Sequence, residues 1–468
     1  MTLVWAVARQ MVAEGVRMRI ALVFFGLVAL LLLGLPFSIE GDSSLTGAVQ
    51  SFLSYSLTGT GVLLGILTIF LSRSLSNELV NQHVFLVMAK PVPRWQFILG
   101  KWLGMALMNF VFLGFAGLAV YGMVHWIRRI HPPINDRFDK IELENEVLVA
   151  RHGLKPKLPD FAKPAEREFQ QNLEEGLYAN VPDFDASEER ERLLQKHEAR
   201  WRVVGPRDTR VFDFENVLCD RSPGKEIQIR YKTEVSRFPD DEIFRAVWSV
   251  GDPSKGTPVY DASVRHVVGR RHTLSVPADT VASDHTLVVQ FFNQNPFKGE
   301  PQFGNVIEFR RSDEVEILFV VGSFEGNLFR SLVLIYCKLL LLGAVALLAA
   351  AVFSFPVAAM FAFSFYILAG SRAFLGDALD MASDDTLSLF SSTREFAVRT
   401  ITYVYIALCR LIPNFAYFDP VETFVNGRNV SLVWVLQALS ELVLVKTSIV
   451  LGLAMLLFHR REVAEISV

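Results

Sequence analysis

The sequence predicts an α-helical membrane protein of six spans, with one large polar α+β insert between the third span and the fourth. Three observations carry that expectation. Residues 127–330 hold 65 of the 95 charged side chains, which leaves 30 for the other 264 residues. The charge-poor flanks contain apolar runs such as 20–37 and 332–353, long enough at about 1.5 Å per residue to cross a hydrocarbon layer of roughly 30 Å. From residue 201 onward the insert changes to short apolar runs between Gly, Pro and Asp turns, a pattern of strands rather than spans.

Residues 1–19 read as an amphipathic interfacial helix, because Leu3, Val4, Val7, Met11 and Val12 recur at helical spacing against Arg9, Gln10 and Arg17. Glu14, Arg17 and Arg19 precede a full-length apolar run with no small-residue cleavage site, so a cleaved leader is not expected. Region 20–126 holds the first three spans, at 20–37, 51–71 and 102–126. The connection 38–50 lacks Lys and Arg, whereas 72–101 carries Arg73, Lys90, Arg94 and Lys101. Cytoplasmic loops are enriched in basic residues, so 72–101 is expected inside and the insert 127–330 outside.

Region 331–468 holds the remaining spans. The fourth, 332–353, ends at a break around Ser354 and Pro356, the fifth is 356–370, and the last, 434–458, ends in His459, Arg460 and Arg461. Between the last two, 371–433 is too polar to span and is expected outside, with an amphipathic stretch at 396–412 on or in the outer leaflet. Six crossings leave both termini in the cytoplasm of a multi-pass protein.

Within the insert, 136–200 mixes charges and prolines with helical patches such as 188–200, while 201–321 is β-rich. Runs at 226–233, 243–250, 286–292 and 306–309 favour a β-sandwich. Alternation of Ile227, Ile229 and Tyr231 with Gln228 and Arg230 predicts a sheet with one wet face.

A net charge of −3 without long single-sign runs excludes nucleic acid as an expected partner. Cys219, Cys337 and Cys409 are too dispersed for a disulfide framework. Nor is a cofactor or metal expected in this chain. Gly100-Lys101-Trp102 has Trp95 where a phosphate loop needs glycine and lacks the following hydroxyl. His197-Glu198 lacks the second histidine of a zinc helix, and Ser222-Pro223-Gly224-Lys225 reads as a solvated turn rather than a nucleophile pair. His266, His272 and His285 read as separate strand histidines. Asn109, Glu441 and Lys446 are the candidate intramembrane polar or pathway residues, the last two about 8 Å apart along an α-helix and able to pair.

The informative stretch lies in 72–97. Leu79, Val80, His83, Val84, Val87 and Met88 recur at three and four residues, with Glu78 near the start and Pro91 and Pro93 stopping the helix. A short amphipathic helix held between two spans can pass the movement of a soluble partner into the membrane helices.

Glu78-x-x-Asn81-x-His83, followed by Ala-Lys-Pro91-Val-Pro-Arg94-Trp and Leu-Gly-Lys101-Trp-Leu-Gly, resembles the cytoplasmic connection of ABC-2 type transporter permeases. There a Glu-bearing coupling helix precedes Pro-Val-x-Arg and Gly-Lys; His83 stands where many members have Thr. Gly322-Ser-Phe-Glu-Gly-Asn-Leu-Phe-Arg330, Leu411-Ile-Pro-Asn-Phe-Ala-Tyr-Phe-Asp419 and the terminal Phe-His-Arg-Arg-Glu462 also resemble bacterial members. The resemblance covers the membrane half, about 260 residues. It implies an ABC-2, type V exporter-like permease fold in a bacterial inner membrane. It also implies a second permease, identical or related, and a cytoplasmic ATP-binding cassette ATPase that holds ATP and Mg. The ATPase-coupling residues would be Glu78, Asn81, His83, Val84, Val87, Pro91, Arg94 and Lys101. The rival expectation is an anchored receptor or scaffold whose external domain binds a ligand, or a periplasmic or envelope protein.

Overall fold

The computed structural model describes residues 2–17, 19–38, 44–80, 93–130, 138–178, 184–235, 243–295, 306–309, 314–386 and 412–460. They form two compact units, Met1–Ala150 with Gly322–Val468, and Arg151–Val321.

In chain order the first unit contributes α1 (Thr2–Arg17), α2 (Ile20–Ser38), α3 (Leu45–Leu71), α4 (Arg73–Val80) and α5 (Arg94–Ile130). The second unit carries α6 (Ala162–Glu174) and α7 (Ala186–Arg202). The first then resumes with α8 (Phe324–Val352), α9 (Phe355–Thr386) and α10, which runs Leu432–Arg460 and is wound as a π-helix over Leu439–Thr447. Among the described residues, six helices are long and apolar enough to cross a membrane: α2, α3 with α4, α5, α8, α9 and α10. These are the six expected runs, and the chain is a multi-pass membrane protein by this criterion.

Their ends differ from the hydropathy limits in one direction. The third helix begins at Arg94 rather than 102, the second at Leu45 rather than 51, and the fifth continues past Gly370 to Thr386. Charged and polar residues end a membrane-compatible stretch without ending a helix, and no proline interrupts these extensions. True caps stop the chain elsewhere. Ser44 accepts a hydrogen bond from the Gly47 amide (2.9 Å), Ser323 from that of Gly326 (3.3 Å), and α8 closes just before Ser354 and Pro356.

Part of the apolar side of α1 is covered by protein, while Leu3 stays exposed. Val7, Ala8 and Met11 are buried against α5, where a Cβ on Gly100 would lie 2.6 Å from Val7 Cβ and one on Gly104 2.6 Å from Met11 Cβ. Two glycines four apart thus give α1 a groove at backbone distance. At the opposite end of the unit, Phe324 packs on Phe424 (5.3 Å between centroids) and the Gln50 amide donates to Val425 O (3.4 Å). Gly427 there has φ +62, and a Cβ would stand 1.8 Å from Glu146 O, so only glycine fits.

The second unit is β-rich. One antiparallel sheet is ordered β3-β9-β6-β7, from Thr209–Phe214, Leu287–Asn293, Ile243–Val250 and Tyr260–Val267. A second is β1-β11-β4-β8, from Val149–Leu154, Val315–Ser323, Glu226–Lys232 and Arg271–Pro277, and three two-residue strands, β2 (Val203–Val204), β5 (Glu234–Val235) and β10 (Ile307–Glu308), form a third. Ile229, Tyr231 and Ile317 from one four-stranded sheet share a core with Phe212, Trp248 and Phe291 from the other, a sandwich as expected. Two expectations change. Gln228, expected on a wet face, is buried and takes a hydrogen bond from Arg151, and 149–154, expected among helices and loops, is a strand. The unit is also narrower than the expected 127–330, since Leu143 and Val147 are buried in the helical core.

Candidate functional site

The site is built where α1, α4 and α5 meet. Once α1 sits in the Gly100/Gly104 groove, Glu14 near its end faces α4, and Ser74 and Glu78, four apart, share one face of that helix. Lys101, one turn along α5 from Phe97, points between them and is 0% exposed. Its Nζ donates to Glu78 Oε1 (2.7 Å) and Ser74 Oγ (2.7 Å) and lies 3.3 Å from Glu14 Oε2, while the Ser74 hydroxyl donates to the same Glu14 oxygen (2.6 Å). The ammonium also stands 5.6 Å over the Phe97 ring, which stacks on Phe458 of α10 at 5.9 Å.

Arg94 closes the same end. Its guanidinium donates to Phe458 O (3.2 Å) and His459 O (2.6 Å), carbonyls in the last described turn of α10, where a side chain can take up backbone oxygens. A cation at a helix C-terminus also meets the negative end of the dipole. Four helices are therefore tied at one end through two basic side chains. An ammonium held by two carboxylates and a hydroxyl has no free pair for nucleophilic work.

Of the eight residues read from sequence as coupling residues, the structure brings Glu78 and Lys101 together as a buried pair and places Arg94 on α10. Asn81, His83, Val84, Val87 and Pro91 lie outside the described residues. Asn109 is buried in α5, where its amide donates to Thr68 Oγ1 (2.8 Å), whose own hydroxyl donates to Leu64 O (2.7 Å), fastening α5 to α3. Lys446 donates to Glu441 Oε1 at 2.6 Å. Five residues apart is a poor spacing in an α-helix, about 140° around the axis. The wider π winding of Leu439–Thr447 brings the two onto one side, and Thr447 bonds back to Leu442 O by the same offset.

Sequence reading missed three polar arrangements. The Asn327 amide donates to Arg428 O (2.8 Å) and accepts from the Val430 amide (2.7 Å), and Arg330 donates to Asn429 Oδ1 (2.8 Å), so the first turns of α8 hold the strand of chain leading to α10. Lys338, midway along α8, faces Asp419 at 3.5 Å. Its signal was available: one cation in an otherwise apolar run. In the β-rich unit His266 and His272, expected apart, stack at 4.3 Å, and Tyr231 Oη lies 2.6 Å from His266 Nδ1. His285 stays apart in a turn with φ +61. Burial, then His272, pushes the His266 pKa down from its ordinary value.

Among the described residues no group of three or more His, Cys, Asp or Glu is placed to hold a metal. No family model matches the chain, and no curated protein or solved structure does either.

Proposed function

We propose that this chain is the membrane-spanning permease of an ATP-driven transporter. It would couple ATP hydrolysis in a separate cytoplasmic ATPase, which holds ATP and Mg, to export or to mechanical work on an envelope partner. In this reading it pairs with a second permease in a bacterial inner membrane. Both termini and the 72–97 connection are cytoplasmic, and the β-rich unit is outside.

The observation that carries the reading is the buried cluster of Glu14, Ser74, Glu78 and Lys101, together with the Arg94 cap on α10. It gives a load applied at 72–97 a stiff path into α1, α3, α5 and α10, which is what a lever between an ATPase and membrane helices requires. The docking contacts are then Asn81, His83, Val84 and Val87, and Glu78 with Lys101 forms the strut that carries the load. Basic residues at both the connection and the end of α10 support its cytoplasmic placement.

The test is purification of the tagged chain from its own membranes. An ATP-binding cassette ATPase should accompany it, and a charge placed at Val84 or Val87, or Glu78→Lys, should abolish coupled ATP turnover while the chain still inserts. A complex without an ATPase, or variants with unchanged turnover, would remove the proposal.

A further inference from the structure

We propose that the first unit binds a membrane amphiphile with a single acidic head group, carboxylate or phosphate, in a cavity whose cation is Lys338. The cavity measures about 320 Å³ and is enclosed by α3, α8, α9 and the segment reaching Val421. Ile335, Leu339 and Phe415 form its floor, each 3% exposed. Thr58, Val62, Ile367 and Gly370 stand at its mouth on the exposed sides of α3 and α9. Apolar walls with one convergent charge, at the lower end of the roughly 300–1,000 Å³ range of ligand pockets, suit a head group and the first part of a chain.

Lys338 is set apart from the other lysines of the membrane helices described above. Lys101 and Lys446 each have a carboxylate oxygen at hydrogen-bond distance, 2.7 and 2.6 Å. Lys338 lies 14 residues from either end of α8 with its side chain 16% exposed, and its carboxylate, Asp419 Oδ1, stands off at 3.5 Å and is 48% exposed. Charge-assisted N–H···O bonds close to about 2.7–2.9 Å. A cation deep in an apolar helix is retained where it is paired or serves a ligand, and here the pairing is loose while the ammonium borders the cavity. An acid head entering from the lipid side between α3 and α9 can approach the ammonium more closely than Asp419 does and competes with it. The segment that carries Asp419 is non-helical over Ile412–Pro420, and such backbone is tolerated at membrane depth where it is buried in protein or lines a cavity.

Binding to the chain alone tests this, so failure leaves the coupling proposal untouched. The purified full-length chain in neutral detergent is titrated with 11-(dansylamino)undecanoic acid, and the probe is then displaced with oleic acid, with phosphatidylglycerol or with oleyl alcohol. Saturable binding is expected, reversed by at least one of the two acids and not by the alcohol. Displacement by oleic acid only assigns a free fatty acid, and displacement by phosphatidylglycerol only assigns a phospholipid. Lys338→Met should weaken probe binding about tenfold, and Asp419→Asn, which removes the competitor, should tighten it at least threefold. Absence of saturable binding, equal displacement by oleyl alcohol, or Lys338→Met binding as wild type overturns the proposal. If Lys338→Met does not fold, Asp419→Asn decides alone: unchanged or weaker binding overturns it.

Discussion

Replacing Lys101 by methionine tests the strut directly. The ammonium is fully buried, and the side chain of its main partner Glu78 is 10% exposed, so Lys101→Met leaves a carboxylate in an apolar setting without its cation. Breaking a buried pair by removing one partner costs about 3–5 kcal/mol, mostly from the stranded charge. Glu14 adds little, because it is 26% exposed and 3.3 Å away, and it can turn to water. Glu78→Leu strands the lysine instead, but Ser74 and Glu14 stay within reach, so the loss should be smaller, about 2–4 kcal/mol. The double variant Lys101→Met with Glu78→Leu removes both charges and should recover at least 2 kcal/mol relative to the sum of the singles, since replacing a buried pair by apolar groups is often near neutral. The assay is an equilibrium unfolding titration of the purified chain in mixed micelles, run as a double-mutant cycle. A single-variant cost below about 1 kcal/mol, or strictly additive losses, would refute the buried strut.

In α10, Glu441→Leu alone should reduce insertion of the last helix by roughly 2.5–3.5 kcal/mol, read by a glycosylation-site insertion assay, and adding Lys446→Leu should restore it. Improved insertion on Glu441→Leu alone would show that the two do not pair. Gly104→Ala should push α1 from its groove at a cost of about 1–3 kcal/mol, visible as faster amide hydrogen exchange over Thr2–Arg17; unchanged exchange would show that the close approach is not needed. In the β-rich unit the folded His266 has a depressed pKa, so the unfolded chain binds its proton first as the pH falls. Stability should be level above the unfolded value of about 6.5 and decline as pH drops through it toward the folded value. His266→Gln should flatten that decline in denaturant melts at pH 7.5 and 5.5 followed by Trp248 fluorescence, and the same decline in both proteins would exclude His266 as its source.

Hydropathy is a local property, so the six apolar runs, the break at Ser354 and Pro356 and strands such as Ile243–Val250 were legible from residues a few positions apart. Helix ends were legible only where a cap or a proline marks them. At Arg94 and beyond Gly370 the sequence merely becomes polar, and α-helical hydrogen bonding continues regardless of what surrounds the helix. The cluster was half legible. Glu78 stood out near the start of an amphipathic stretch and Lys101 through the resemblance of its Leu-Gly-Lys-Trp run, but neither pattern offered a reason to turn them toward each other.

The rest of the cluster adds Glu14, 87 positions before Lys101, which α1 brings there through the room left by Gly100 and Gly104. The approach of Asp419 to Lys338, 81 positions away, and the stacking of His266 on His272 likewise come from chain geometry at long range. Glu441 and Lys446 are separated by only five residues, yet their pairing depends on a π winding that the apolar residues around them do not announce. Composition and periodicity determined which segments leave water and which remain in it. Only the tertiary structure decided which charges meet, because that depends on how closely backbones approach, and a one-dimensional pattern carries no measure of that distance.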